Sequence, residues 1–527
     1  MQLWSKLHKH LIGLLIYVTL MNLSVIIFDI LSGKRSVIIN EIDADSIGVL
    51  LNDRVKITYN NKTVVAIVEI SRTLVPEGKI AFYRDVSDTL GVRQGDIVEM
   101  NYEPLPKSVV YIRKKMTGEK LTESEIRSII VDVVSSDLSD LEIASFLLAS
   151  YYKGMDLDEV KALTTSMVDT GDKLSLEGHI VDKHSIGGVP GNKVSLLIVP
   201  IIASTELLIP KSSSKAITSP SGTADTMAVF ANVKFSLNEI KNIVTKTHGC
   251  IVWGGALNLA PADDLLIRIE NPLKIDPKGQ MLASIMSKKL AAGAKTMVLD
   301  IPVGRGTKVN DLIEGEKLGN EFIELGRSLG INVRVGITYG GQPVGRAIGP
   351  ALEAREGLQS LIEPDNASMS LVSKSTALAG ILLEATGVAG RGQGSTAAMQ
   401  LLTSGKALQK FRDIIEAQGG NPKIKPDDIP VGDHTYKLTA DADGYITLVD
   451  NTSIADIARA AGAPYDKGAG LVIYQKQGYK VKAGDVLIEI FAERTTRLTE
   501  AIALANSRPP VMIEGMLLKS YPDLGGS

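Results

Sequence analysis

Residues 183–195 read KHSIGGVPGNKVS, a charged pair that opens into three glycines and closes on amine and hydroxyl side chains. Gly187, Gly188 and Gly191 permit positive φ and close backbone approach, so successive N–H groups can converge on the oxygens of an anion. Pro190 stiffens the loop. The apolar run at 194–202 predicts a helix whose first N–H groups and dipole also favour an anion. Taken alone, such a loop is more often an ordinary tight turn. Around it, apolar runs at 250–253 and 296–303 alternate with helix patterns at 311–329 and 369–386, and that alternation predicts α/β layering.

Working outward, residues 22–104 have strand periodicity: Val55, Ile57 and Tyr59 alternate with Arg54, Lys56 and Thr58, Asn60-Asn61 turns, and residues 63–70 return. Nothing in this small β-rich domain suggests chemistry, and assembly or shielding is its expected role. Residues 105–180 predict a helical domain, with capping boxes at Thr122-x-x-Glu125 and Ser139-x-x-Glu142 and a third helix near Asp156. The glycines of segment 171–178 are candidate hinges. Residues 181–430 predict the central α/β domain, with a mixed sheet and part of its length returning to the helical domain. Pro422, Pro426 and Pro430 mark its end. Residues 431–527 are again β-rich, a C-terminal α+β domain. There the string KAGD at 482–485 before an apolar strand resembles the hammerhead-like fold of biotinyl and lipoyl carriers. Lys476 lacks the flanks of a carrier lysine, so no carried cofactor is expected.

At 527 residues the chain is several domains long. A net charge of −3 gives no support for nucleic-acid or anionic-membrane binding and points to small ligands. The one cysteine, Cys250, excludes an internal disulfide and a cysteine-based zinc site; it reads as a small buried residue in a reducing, cytoplasmic compartment. Residues 1–21 read as a non-native or upstream-start extension, with Met21 as the functional start. Lys6 and Lys9 before the apolar run at 11–20 resemble a signal or anchor, but no cleavage-like site follows and a strand pattern begins at Leu23, which disfavours a membrane span.

Three further stretches carry chemistry. Residues 211–230, KSSSKAITSPSGTADTMAVF, gather hydroxyls around Lys215 and Gly222; hydroxyls both donate to and accept from phosphate or ribose, and residues 223–225 suit a helix N-cap. The segment is also loop-like in composition. In residues 275–289, Asp276 precedes Pro277, and Ser284 and Lys288 fall on one helix face. GRGTK at 304–308 adds a glycine-spaced lysine, Lys308.

Taken jointly and in order, KHSIGGVPGNKVS, SSSKAITSPSGTADTM, ASIMSKKLAAGA and GPALEAREGL resemble the thymidine and pyrimidine-nucleoside phosphorylase family, most closely its archaeal AMP phosphorylase branch. The resemblance spans about residues 23–514. It implies a helical and an α/β domain with the substrate between them, and phosphorolysis of nucleoside 5′-monophosphates: AMP and phosphate give adenine and ribose 1,5-bisphosphate, with CMP and UMP as further candidates. It implies phosphate binding by Lys183, Ser185, Ser195, Ser213 and Thr223. It implies nucleotide binding by Gly188, Ser214, Lys215, Ala216, Ile217, Thr218, Ser219, Thr223, Ser284, Lys288 and Lys308, with Asp276 as proton donor. His184 is a candidate helper near the sugar or a loop-orienting residue. No metal or cofactor is expected, since phosphate is a co-substrate. A homodimer or larger homo-oligomer is implied. The arginine with which the nucleoside enzymes read a pyrimidine has no counterpart in simple register: Ile269 falls there, with Arg268 adjacent.

Phosphorolysis passes through an oxocarbenium-like transition state. Lys183, the hydroxyls and the loop N–H groups can position phosphate, and Asp276, if held protonated in an apolar cleft, can protonate the leaving base. Competing readings are a pyrimidine-nucleoside phosphorylase, a membrane-tethered nucleotide-binding protein, and a phosphoribosyltransferase, for which no acidic metal cluster is evident.

Overall fold

The computed structural model describes residues 20–216 and 219–515; the expectations for residues 1–19, including the apolar run of the extension, and for Ile217 and Thr218 lie outside them. The chain forms two compact units, one reaching to Ser166 and including Pro261–Met281, the other comprising Met167–Ala260 and the chain from Leu282 onward.

In the first unit, β1 (Met21–Phe28), β2 (Ser36–Asn40), β3 (Arg54–Tyr59), β4 (Lys62–Ser71), β5 (Lys79–Tyr83) and β6 (Ile97–Glu103) close into a barrel in the order β1-β5-β2-β4-β3-β6. Period-two alternation drives it: Val64, Ala66 and Val68 of β4 are buried inside while their neighbours are not. Closure leaves no open sheet edge. Two one-turn-plus helices, α1 (Glu41–Ile47) and α2 (Arg84–Leu90), decorate it. The helical part holds α3 (Lys107–Thr117), α4 (Glu123–Val134), α5 (Asp140–Lys153), the start of α6 (Leu157–Asp169) and the inserted α10 (Pro261–Leu273). Thr122 and Ser139 form both halves of their capping boxes. Arg268 on α10 donates to the Gly33 carbonyl at 3.1 Å and to Asp140 at 3.3 Å, so this guanidinium ties the helix to its own unit.

The second unit contains β7 (Val181–Ser185), α7 (Ser195–Ala203), β8 (Ile209–Ser213), α8 (Thr223–Met227), α9 (Leu237–Thr247), β9 (Gly249–Trp253), most of α11 (Lys278–Ala291), β10 (Thr296–Val303), α12 (Leu312–Ser328) and β11 (Asn332–Tyr339). β7 and β11 flank β10, and β8 pairs with β9. A bridge between Ile180 and Leu208 joins the two groups. Every one of these pairings is parallel, which corrects the expected mixed sheet: each strand is followed by a helical crossover, and such a crossover returns the next strand in the same direction. All nine residues of α7 are buried, under α13 (Pro350–Ile362), α14 (Met369–Ala385), α15 (Gly394–Thr403) and α16 (Lys406–Ala417). A helix apolar all round belongs in a core.

Two small antiparallel sheets complete the second unit. One runs β12 (Ala347–Ile348), β15 (Gly470–Ile473), β17 (Val486–Ala492), β13 (His434–Thr439); the other runs β16 (Lys480–Val481), β14 (Gly444–Val449), β18 (Val511–Glu514), with α17 (Asn451–Ala460) and α18 (Thr495–Ser507) packed on the same core. Asp485 accepts the Lys482 N–H at 2.8 Å in the turn before β17. Lys476 is buried and donates to the carbonyls of Pro343 and Gly345. Gly171, expected as a hinge, is a close-approach glycine: a Cβ there would meet the Asn258 carbonyl oxygen at 2.5 Å, and Asp172 N–H donates to that same oxygen at 2.6 Å. Among the described residues no helix is long and apolar enough to cross a membrane.

Candidate active site

The parallel strands present their C-terminal ends together, the edge at which open α/β sheets hold ligands. β7 ends at Ser185 and turns into the glycine loop; β8 ends at Ser213 and turns into the hydroxyl-rich segment; β10 ends beside the 304–308 loop. Gly187, Gly188 and Gly191 all have positive φ. At Gly188 a Cβ would meet the Lys308 nitrogen at 2.8 Å, so the close approach brings together two residues singled out separately in the sequence. The loop is fixed from behind: Lys193, fully buried, pairs with Glu356 at 2.8 Å and donates to the Gly191 and Val344 carbonyls at 3.0 and 3.2 Å.

Under the loop lies a buried charge cluster. Lys183, Lys211, Lys289 and Lys374 are each at most 9% exposed, as are Asp182 and Asp300. Asp182 pairs with Lys289 at 2.7 Å and with Lys211 at 3.7 Å; Asp300 pairs with Lys374 at 3.0 Å. Four buried amines against two carboxylates leave two positive charges in excess when all are protonated. Burial lowers Lys374 as well as Lys183 and Lys211. Burial, outweighing the attraction of Asp300 and Asp182, brings Lys183 down to about 8. Burial and the adjacent Lys289 bring Lys211 to about 7. His184 is held well below its ordinary value, by burial first and then by Lys289, Lys211, Lys183 and Lys288, so at neutral pH it is an uncharged imidazole. Buried amines in such numbers, lowered by desolvation and by one another, are the electrostatics that favour a negatively charged ligand.

The donors divide in an informative way. Among the described residues, Lys183 Nζ and the hydroxyls of Ser195, Ser213 and Thr223 make no hydrogen bond, leaving them available to a ligand. Ser195 begins α7 and Thr223 begins α8. Ser185 differs: its hydroxyl donates to Asp300 at 2.8 Å. Gly222, rather than Thr223, caps α8, and the Asp225 carboxylate accepts the N–H groups of both Gly222 (3.0 Å) and Ala216 (2.6 Å), tying Ala216 to the start of that helix. Ser214 and Ser219 are exposed; Lys215 and Ala216 are half-buried. Lys215 Nζ lies 4.4 Å from the Trp253 ring centroid, and Trp253 is the register partner of Ser213. Ser284 and Lys288, both half-buried, share one face of α11. Lys308 is exposed.

Asp276 lies two residues before α11, in the first unit, and is exposed. This departs from the apolar enclosure expected for it; the residue before a proline stays extended and outside the helix it precedes. Sequence reasoning missed Asp182, Lys211, Asp225, Lys289, Asp300 and Lys374. A signal for two of them exists: Asp300 is the lone charge in the apolar run 296–303, and Lys374 the lone charge in the long apolar stretch 369–383. A charge in such a run has to be paired.

Residues 109–171 match the helical bundle domain of a glycosyl transferase family, residues 177–408 match that family's a/b domain, and residues 445–510 match the pyrimidine nucleoside phosphorylase C-terminal domain. The AMP phosphorylase 1 of Archaeoglobus fulgidus is 52% identical over 93% of this chain and 97% of its own. The AMP phosphorylase of Thermococcus kodakarensis is 53% identical over 94% and 98%. Among solved structures, an anthranilate phosphoribosyltransferase from Thermus thermophilus superposes with a TM-score of 0.50 at 17% identity, covering 58% of this chain and 98% of that one, a likeness of fold alone. At half identity over nearly its full length, the chain belongs to the AMP phosphorylase family.

Proposed function

We propose that the chain catalyses phosphorolysis of AMP, giving adenine and ribose 1,5-bisphosphate, with CMP and UMP as lesser substrates. The observation that carries the reading is the excess of two buried amines over carboxylates at the sheet edge, which when protonated match the charge of inorganic phosphate as a dianion. Phosphate is positioned by Lys183 and the hydroxyls of Ser195, Ser213 and Thr223, with Ser185 behind them. Fixed donors and desolvated cations of this kind hold a nucleophile without reorganisation during reaction. The nucleotide is taken by Gly188, residues 214–219, Ser284, Lys288 and Lys308, and Asp276 is the proton donor to the departing base. Phosphate is the co-substrate, and no further cofactor is invoked.

The same reading makes the protein a cytoplasmic homo-oligomer, at least a dimer. Supporting it, α5 exposes Leu141, Tyr151 and Tyr152 at 78%, 48% and 77%. It also retains the hammerhead-like description of the C-terminal sheets. A panel of 5′-monophosphates and nucleosides, each with phosphate, tests the function: free adenine released from AMP but no base from adenosine or thymidine is expected. Release from the nucleosides and not from AMP would overturn it.

A further inference from the structure

The two buried carboxylates of the site differ in what they hold. Asp182 faces lysines. Asp300, with no exposed surface, sits at the junction of four segments. Its Oδ2 accepts from Ser185 Oγ at 2.8 Å and from Asn192 Nδ2 at 3.3 Å, and lies 3.0 Å from Lys374 Nζ on α14. Its Oδ1 accepts from Thr338 Oγ1 on β11 at 2.6 Å, and its backbone carbonyl takes the Ile186 N–H at 3.1 Å. One residue thus fixes the first, second and eighth positions of the loop that begins at Ser185.

Ser185 has a single hydroxyl proton, and Asp300 takes it. The Ser185 oxygen in turn accepts from Asn192 Nδ2 at 3.0 Å and from Gly187 N–H at 3.4 Å. Ser185 can donate to phosphate only by turning that proton away from Asp300, whose charge then stays held by Lys374, Thr338 and Asn192. Burial pushes the Asp300 carboxyl up, but Lys374 and then Lys183, Thr338 and Ser185 outweigh it, and the group stays ionised below its ordinary range.

We propose that Asp300 is a positioning residue for the phosphate co-substrate, holding the glycine loop in its anion-receiving shape. This rests on the phosphate-pocket reading above. The charged and titratable groups facing Lys183 are Asp300 on β10, Lys374 on α14, Lys289 on α11, Lys211 on β8, and Asp182 and His184 on its own strand. Asp300 is the strongest of those favouring the charged amine.

The test is steady-state kinetics with phosphate and AMP varied separately across pH, for Asp300→Asn, Asp300→Asn with Lys374→Met, Thr338→Val, and Lys183→Met as control. In Asp300→Asn the phosphate KM rises roughly ten- to a hundredfold while the AMP KM stays within about threefold. The alkaline limb of phosphate kcat/KM moves to lower pH, because Lys183 has lost the charge that holds its proton. Adding Lys374→Met reverses part of that movement. Thr338→Val keeps the carboxylate and removes one bond to it; it raises the phosphate KM by about three- to tenfold and serves even if Asp300→Asn does not fold. An unchanged phosphate KM and pH limb in Asp300→Asn, or an unchanged phosphate KM in Thr338→Val, alongside loss of phosphate saturation in Lys183→Met, overturns the positioning role alone. An unchanged phosphate KM in Lys183→Met overturns the pocket reading and this proposal with it.

Discussion

Buried lysines of the helical part and of the parallel-sheet edge are held on opposite terms. In the helical part Lys115 Nζ donates to both oxygens of Glu159, at 2.7 and 2.9 Å, and Glu159 also accepts the Leu121 and Asp156 N–H groups. The pair is balanced and its donors and acceptors are matched, so its work is structural. At the sheet edge Lys183 lies 3% exposed with no hydrogen bond from its Nζ among the described residues, and the cations of its cluster outnumber the anions. A protein that held such a surplus for stability alone would lose by it. The loss makes sense where a ligand supplies the missing negative charge. Lys193, only ten residues further along the chain, belongs with Lys115 rather than Lys183: it is closed off by Glu356 and two carbonyls.

The largest effect expected is outside both clusters. Asp276→Asn lowers kcat by about 10²–10⁴-fold, the usual worth of general-acid help, with the phosphate KM nearly intact; loss of phosphate binding in step with kcat would give Asp276 a structural role instead. Lys183→Met comes next, and here the two regions separate. Its turnover at fixed phosphate falls roughly 10²-fold or more while its melting temperature holds or rises. Lys115→Met does the reverse, costing about 3–5 kcal/mol in chemical denaturation because Glu159 is left buried and uncompensated, with the phosphate KM unchanged in the folded fraction. Equal loss of stability in both variants would erase the distinction. Asp225→Ala, which removes the acceptor of the Ala216 and Gly222 N–H groups, raises the AMP KM by roughly tenfold and leaves the phosphate KM alone.

Much of this was legible in the sequence, for physical reasons that differ by region. The barrel strands and the capped helices were readable because a single local period, or the Thr122 and Ser139 boxes, fixes them. The strands at 250–253 and 296–303 were found as apolar runs; runs of that kind, buried on both faces, are the pattern of parallel strands, which the expectation of a mixed sheet left unused. The loop after β7 was visible through its glycines. Its supports were not: Asp300 and Lys374 lie 74 residues apart, and only the fold brings them within 3.0 Å. The exposure of Asp276 was likewise out of reach, since burial depends on packing rather than on the Asp-Pro step.

The pH behaviour follows from the same surplus. For Lys183 and Lys211 the folded-state values, about 8 and about 7, lie below the ordinary lysine value of 10.5. Each amine therefore penalises the folded chain while it is protonated, and the penalty is relieved as pH climbs from about 7 toward the ordinary value. A bound phosphate raises both amines back up, so its stabilising effect is greatest near neutrality and shrinks above about pH 8 as protons must be taken up to bind it.

That uptake is the most direct test of the claim that the sheet edge is an unbalanced seat for phosphate. Calorimetric titration of inorganic phosphate at about pH 8, where a lysine of ordinary value would already be fully protonated, in two buffers of different ionisation heat, reads the protons bound on association. Net uptake by the wild-type chain, reduced in Lys183→Met and in Lys211→Met, is the predicted result; phosphate binding with no proton uptake, or with uptake that neither substitution alters, would contradict it.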